Sequence, residues 1–215
     1  MSNPKITIKH DWRKEEAATY LAKSKISQIT IPNWTYLTIS GKGSPSSAHF
    51  QKAVETLFTL SYTLKFALKK GYLIENFSEY SVYPLEGYWD LNEEGKTKDS
   101  LDKNDLVYTM MIRQPDFIKA KDLRWAIEFN QKKKTDLLYP EVKLEPIEDG
   151  LCIQMLHLGS YDDEPKSFAL MKKYILDNGL CQSVKAHKEI YLSDFTKVSP
   201  DKLKTVLRYY IENAE

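Results

Sequence analysis

The chain has 215 residues, 42% of them hydrophobic, and its 31 Lys plus Arg against 30 Asp plus Glu leave a formal charge of +1. That length holds one large domain or two small fused units around an ordinary core, and the balanced charge excludes a general pull toward phosphate, so nucleic acid is not an expected partner. Nowhere do ~18 consecutive apolar residues occur, and the opening MSNPKITIKHDWRKEE lacks a signal-peptide apolar core, so no membrane association and a cytoplasmic location are expected.

In chain order, residues 11–23 predict a short charged helix. Residues 28–40 (QITIPNWTYLTIS), β-branched and aromatic, predict a strand ending at Gly41, Gly43 and Pro45. Ser44 and Pro45 supply a cap and a first-turn proline for a long amphipathic helix. In it Phe50, Val54, Leu57, Ser61, Leu64 and Leu68 recur at alternating spacings of four and three, and it closes before Gly71. Residues 80–91 (YSVYPLEGYWDL) predict an aromatic strand broken by Pro84 and Gly87, followed by a polar turn region over 92–105 and a strand over 106–113. Residues 116–134 predict a connecting helix with Leu123 and Ile127 on one face and the run Lys132, Lys133, Lys134 solvated at its end. Residues 142–158 predict a strand pair around Asp149 and Gly150. The loop 159–163 then leads into a helix with Pro165 near its start, an apolar stripe of Phe168, Met171 and Ile175, and a stop at Asn178-Gly179. Residues 187–195 and 204–212 are the last predicted strands.

The second half repeats the order of the first. Gly43-Ser44 corresponds to Gly159-Ser160, each before a helix with an early proline, and Glu86-Gly-Tyr88 corresponds to Glu189-Ile-Tyr191, each inside the next strand. Strand alternation puts Glu189 on one face with His187, Tyr191 and Ser193, and Glu86 with Tyr80, Tyr88 and Asp90, opposite Tyr83, Leu85 and Trp89. If the halves pack about a pseudo-twofold axis, two carboxylates and several aromatic rings face one shared cleft. A carboxylate among rings is desolvated, which suits it as a counter-ion for a lipophilic cation or as a general base for water. Fourteen Tyr, eight Phe and four Trp supply the rings, and one of Met110 and Met111 should add a polarisable wall.

Other chemistries find no motif. His10, His49, His157 and His187 are scattered without HxH or HxxxH spacing, so no metal site is expected. Cys152 and Cys181 have no CxxC partner and are expected to be buried thiols outside any disulfide. Gly41-Lys42-Gly43-Ser44 lacks the GK[ST] ending of a phosphate loop, and no GxGxxG or GxSxG occurs.

Four separated blocks are similar to the GyrI-like small-molecule-binding domain family: residues 62–66 (YTLKF), 83–89 (YPLEGYW), 150–165 (GLCIQMLHLGSYDDEP) and 187–194 (HKEIYLSD). The resemblance spans about residues 28–212, in a stand-alone form without the DNA-binding helices of regulators that share the domain. It implies an α+β fold of two tandem βαββ modules of the SHS2 type, related by pseudo-twofold symmetry, with a ligand cleft between them. Residues 1–215 would form one such domain, with modules at 28–114 and 141–212 joined through 115–140. A family glutamate that faces cationic or aromatic drugs carries over to Glu189. The pair Tyr88-Trp89 departs from the family pattern, in which an aliphatic residue commonly precedes the tryptophan.

A subgroup of stand-alone members hydrolyses the cyclopropane ring of DNA-alkylating cyclopropanoid natural products. The resemblance therefore implies a hydrolase of xenobiotics that needs no cofactor. Its catalytic candidates are Glu189, Glu86 and Tyr191, and its cleft would be lined by Tyr88, Trp89, Tyr83, Met110, Met111, His157 and Tyr161. A non-catalytic drug-binding or sequestering protein, and an accessory domain that docks on another protein, are the alternatives left open, as is the oligomeric state.

Overall fold

The computed structural model describes residues 9–214. Two four-residue helices, α1 (Trp12–Glu15) and α2 (Ala17–Tyr20), precede β1 (Ser27–Lys42), α3 (Ala48–Lys65), β2 (Leu85–Leu91), β3 (Leu106–Arg113) and α4 (Ala120–Gln131). There follow β4 (Lys143–Leu158), α5 (Glu164–Asp177), β5 (Leu180–Tyr191) and β6 (Lys204–Asn213). The six strands are antiparallel and close into a barrel in the order β1-β3-β2-β5-β6-β4. Closure gives every strand a hydrogen-bonded neighbour on both sides along part of its length. It depends on the two long strands, because β1 pairs with β4 along residues 27–38 and with β3 along residues 36–42.

Several boundaries differ from the sequence expectation, each for a local reason. The charged segment 11–23 breaks at Glu16, whose φ and ψ of −124° and 31° interrupt the helix. The cap of α3 is Ser47 rather than Ser44, its hydroxyl accepting from the Phe50 amide at 3.2 Å. β2 begins only after Pro84, which has no N–H to give a ladder, and Tyr80 is confined to an isolated bridge with His10. α4 is shorter than the predicted 116–134 helix. The expected strand pair around Gly150 is one continuous strand. Gly150 does take a left-handed φ of 66°, but Glu148 and Gly150 face Asn33 and Ile31 in a single register with β1. β5 starts at Leu180, earlier than His187, because a bulge between Gln182 and His187 absorbs the irregular stretch, and it ends at Tyr191 rather than Phe195. Of the two cysteines, Cys152 is buried, whereas Cys181 is only half-buried with its sulfur 3.7 Å from Glu212.

The helices cover the outside of the barrel in two halves. The α3 stripe Phe50, Ala53, Leu57, Leu60 and Leu64 packs with Leu37, Ile39, Met110, Ile112 and Leu85. Met171 and Ile175 of α5 pack on Ile153, Met155, Leu207 and Tyr209. Between the two helices lies the seam where β2 pairs with β5.

The interior of the barrel is ionic. Lys188 Nζ donates to Asp149 Oδ1 at 2.7 Å and lies 3.4 Å from Glu86 Oε2, while Arg208 donates to Asp149 Oδ2 at 3.0 Å and to Gln154 Oε1 at 2.9 Å. Tyr36 and Tyr210 direct their hydroxyls at Glu86 and Asp149, each at 3.5 Å. The side chains of Lys188, Arg208, Glu86 and Asp149 are all at most 1% exposed. The N-terminal segment plugs one mouth: Gln154 donates to the Ala18 carbonyl and Arg208 to that of Thr19, two acceptors at the end of a short helix that would otherwise go unpaired.

Candidate functional site

Alternation along paired strands fixes which side chains meet at the seam. Gly87 sits opposite both Met110 and Glu189, Leu85 opposite Tyr191, and Trp89 opposite Tyr108 and His187. These residues point outward, into the space between α3 and α5. Trp89 Nε1 donates to the Tyr191 hydroxyl at 2.8 Å, and the indole stacks on Phe50 at 5.8 Å with Tyr108 tilted against it at 5.4 Å. The loop before α5 brings Tyr161 edge-on to Tyr191 at 6.1 Å. Gly87 lets the Trp89 indole and the Tyr191 hydroxyl close directly onto the β2 backbone. A Cβ there would come 2.7 Å from Trp89 Nε1 and 3.1 Å from both Met110 Sδ and the Tyr191 hydroxyl, closer than the rings allow.

Two carboxylates share this wall. Glu189 is buried, with Oε1 2.9 Å from His187 Nε2, and His187 is itself wedged edge-on against Phe168 at 4.7 Å. Glu164, in the first turn of α5, is also buried, and its Oε1 has no hydrogen-bond partner. Burial foremost, then the negative charges of Glu189 and Asp162, push the Glu164 carboxyl up to about 9. Both causes favour the protonated form of Glu164. Tyr161 is pushed up to about 12 and Tyr191 higher still, first by burial and then by the nearby charge of Glu189. The arrangement sets two carboxyl groups beside a wall of aromatic rings, one able to accept a proton and the other to keep one ready beside it.

Of the sequence candidates, Glu189, Tyr191, Trp89, Met110 and Tyr161 come together here. Glu86 does not. It pairs across the ladder with Met111 and Ile190, the row adjacent to Glu189, so Glu86, Tyr88 and Met111 project toward the barrel interior. A cleft shared by Glu86 and Glu189 is thus excluded by the register. Tyr83 lies at the plugged barrel mouth, donating to Glu16 at 2.8 Å with the Arg113 guanidinium 4.6 Å above its ring. His157 is on the outer face, but both ring nitrogens are engaged, Nδ1 with Ser167 Oγ at 2.9 Å and Nε2 with the Ser160 carbonyl at 3.0 Å, and they pin the 159–163 loop to α5. The candidate residue of this wall that the sequence reading missed is Glu164. Its only signal is its place in the last residues of the 150–165 block, directly before Pro165. Among the described residues, no group of three or more His, Cys, Asp or Glu is arranged to hold a metal ion, and no helix is long and apolar enough to cross a membrane.

Known proteins give the site its context. The chain is similar to a hydrolase from Listeria innocua at 35% identity and a TM-score of 0.86, covering 95% of this chain and 100% of the other. A further solved structure from that organism, described as an uncharacterized conserved protein, is 36% identical with a TM-score of 0.88 and the same coverage. The C-terminal domain of EcmrR shares the fold at 10% identity, with a TM-score of 0.52 over 88% of this chain and 98% of that domain. A comparison with curated proteins finds no match. A family model described as a GyrI-like small molecule binding domain matches residues 24–212, which takes in the barrel, its two covering helices and the whole seam. The chain belongs to the GyrI-like small molecule binding domain family.

Proposed function

We propose that the seam between α3 and α5 binds flat, lipophilic aromatic molecules and hydrolyses the cyclopropyl ring of DNA-alkylating cyclopropanoid natural products, protecting the cell that makes this protein. The observation that carries the proposal is Glu189, a buried carboxylate beside Trp89 and Tyr191, where the absence of a side chain at Gly87 lets those rings pack over β2. The Listeria innocua protein described as a hydrolase, similar over its whole length, supports a reaction over capture alone. In this proposal water attacks the methylene carbon of a cyclopropane conjugated to a dienone. Glu189, oriented by His187, takes a proton from that water as the ring C–C bond breaks and its electrons pass to the carbonyl, which becomes a phenol oxygen. Ring strain and aromatisation drive the step, so no cofactor is required.

The same proposal treats residues 1–215 as one domain of two SHS2-type modules, 28–114 and 141–212, acting in the cytoplasm without nucleic acid. The recurring strand-helix-strand-strand order and the position of the seam between the halves support that organisation.

Ligand binding is tested by titrating a planar cyclopropanoid while following tryptophan emission. Trp89 in the wall should be quenched with a micromolar Kd, about 8 kcal/mol of binding, which stacking and ring burial can supply. Gly87→Ala should weaken this binding by about tenfold or more, because its methyl group collides with Trp89 and Tyr191 and displaces them from the wall. Unchanged affinity in a folded Gly87→Ala protein places the ligand elsewhere.

A further inference from the structure

Ring opening in the proposed reaction needs a proton at the carbonyl oxygen as well as a base for the water. The tyrosines are poor sources of it. Tyr191 already accepts from Trp89, and burial together with the neighbouring carboxylate holds its proton more tightly than an ordinary phenol does. Glu164 is different. It sits in the first turn of α5, where a glutamate is ordinarily ionised, solvated and favoured by the helix dipole. Here the 159–163 loop and α5 fold its side chain against β5, it is buried, and Oε1 has no partner. Buried carboxyl oxygens are rarely left unpaired, and this one lies within electrostatic reach of Glu189, Tyr191 and Tyr161 of the same wall.

We infer that Glu164 is the general acid of this site, delivering its proton to the dienone oxygen while Glu189 takes a proton from the attacking water. The inference rests on the hydrolase proposal. Its balance is complete: the water oxygen–carbon bond forms, the cyclopropane C–C bond breaks, one proton moves from water to Glu189 and one from Glu164 to the new phenol. Transfer of a proton from Glu189 to Glu164, directly or through solvent, restores the site. The pair carries one negative charge before and after the step. The electrostatics favour this exchange, since the charge of Glu189 is what helps keep Glu164 protonated, and neutralising Glu189 during attack releases the proton on Glu164. The charged and titratable groups that face Glu164 are Glu189 and Tyr191 from β5, with His187 behind Glu189, and Tyr161 and Asp162 from the loop.

The test compares wild type with Glu164→Gln in turnover of a cyclopropanoid as a function of pH, together with carboxyl ¹³C NMR of glutamate-labelled protein without substrate. The wild-type kcat should fall on the alkaline side, as Glu164, whose proton burial and the charge of Glu189 hold, becomes ionised. Glu164→Gln should lower kcat by about 10²-fold and abolish that alkaline limb, with the tryptophan-quench affinity nearly unchanged. The spectrum should hold a carboxyl protonated at neutral pH that is absent from Glu164→Gln and titrates lower in Glu189→Gln. A Glu164→Gln protein that keeps wild-type kcat and the alkaline limb overturns the acid role, as does a Glu164 resonance ionised at neutral pH in an active wild type. No turnover by wild type overturns the hydrolase proposal itself, and the acid role with it.

Discussion

Asp149→Asn should be the most destabilising of the conservative substitutions in the barrel interior. Asp149 is the one carboxylate that bonds both buried cations, Lys188 at 2.7 Å and Arg208 at 3.0 Å. The amide keeps the shape but leaves two desolvated positive charges facing a single carboxylate, Glu86, at 3.4 Å from Lys188. Breaking a buried ion pair from one side costs about 3–5 kcal/mol, and for a chain of this size that lowers Tm by about 10 °C. Urea denaturation at neutral pH checks it: the midpoint should fall with the slope unchanged. Glu86→Gln should cost less, because burial already raises the proton affinity of Glu86, ahead of the opposing pull of Lys188 and Arg208. The sign follows from that direction. A carboxylate whose folded-state value lies above its unfolded one gives full stability below the unfolded value and loses it as pH rises through the folded value, so removing its charge relieves a penalty at neutral pH. A loss below about 1 kcal/mol in Asp149→Asn would mean that the network does not hold the barrel together.

The second large effect is on catalysis. Glu189→Gln should lower turnover by roughly 10²- to 10⁴-fold with little change in ligand affinity, since amide and carboxylate are nearly isosteric and only the carboxylate accepts the proton. Glu86→Gln should leave turnover close to wild type, because Glu86 faces the barrel interior with Lys188 and Tyr36. Progress curves at saturating substrate separate the two. Equal losses in both variants would contradict the assignment of the base to the outer face.

Much of this was legible in the chain before its fold. The alternating and β-branched runs located five strands and split the sixth, β4, in two at Gly150, and parity along β5 correctly grouped Glu189 with His187 and Tyr191. Matching Glu86-Gly-Tyr88 to Glu189-Ile-Tyr191 failed for a reason of period. The strands repeat every two residues, and the register sets Glu189 across from Gly87, one row from Glu86, so two motifs alike in letters lie on opposite faces. A glutamate before a proline at a helix start reads as a solvated N-terminal acid, and only the packing of α5 on β5 buries Glu164. Nothing in the sequence singled out Lys188 or Arg208, which closure of the barrel buries on its inner face.

The measurement that bears most directly on the function is a count of products per chain. Catalytic amounts of protein are incubated with an excess of a cyclopropanoid in ¹⁸O-labelled water, and the ring-opened product is followed by mass. Many products per chain, each carrying one labelled oxygen on the former ring methylene, are expected. Product that never exceeds one per chain, or ligand recovered intact from the complex, would contradict hydrolysis and leave a protein that captures these molecules without transforming them.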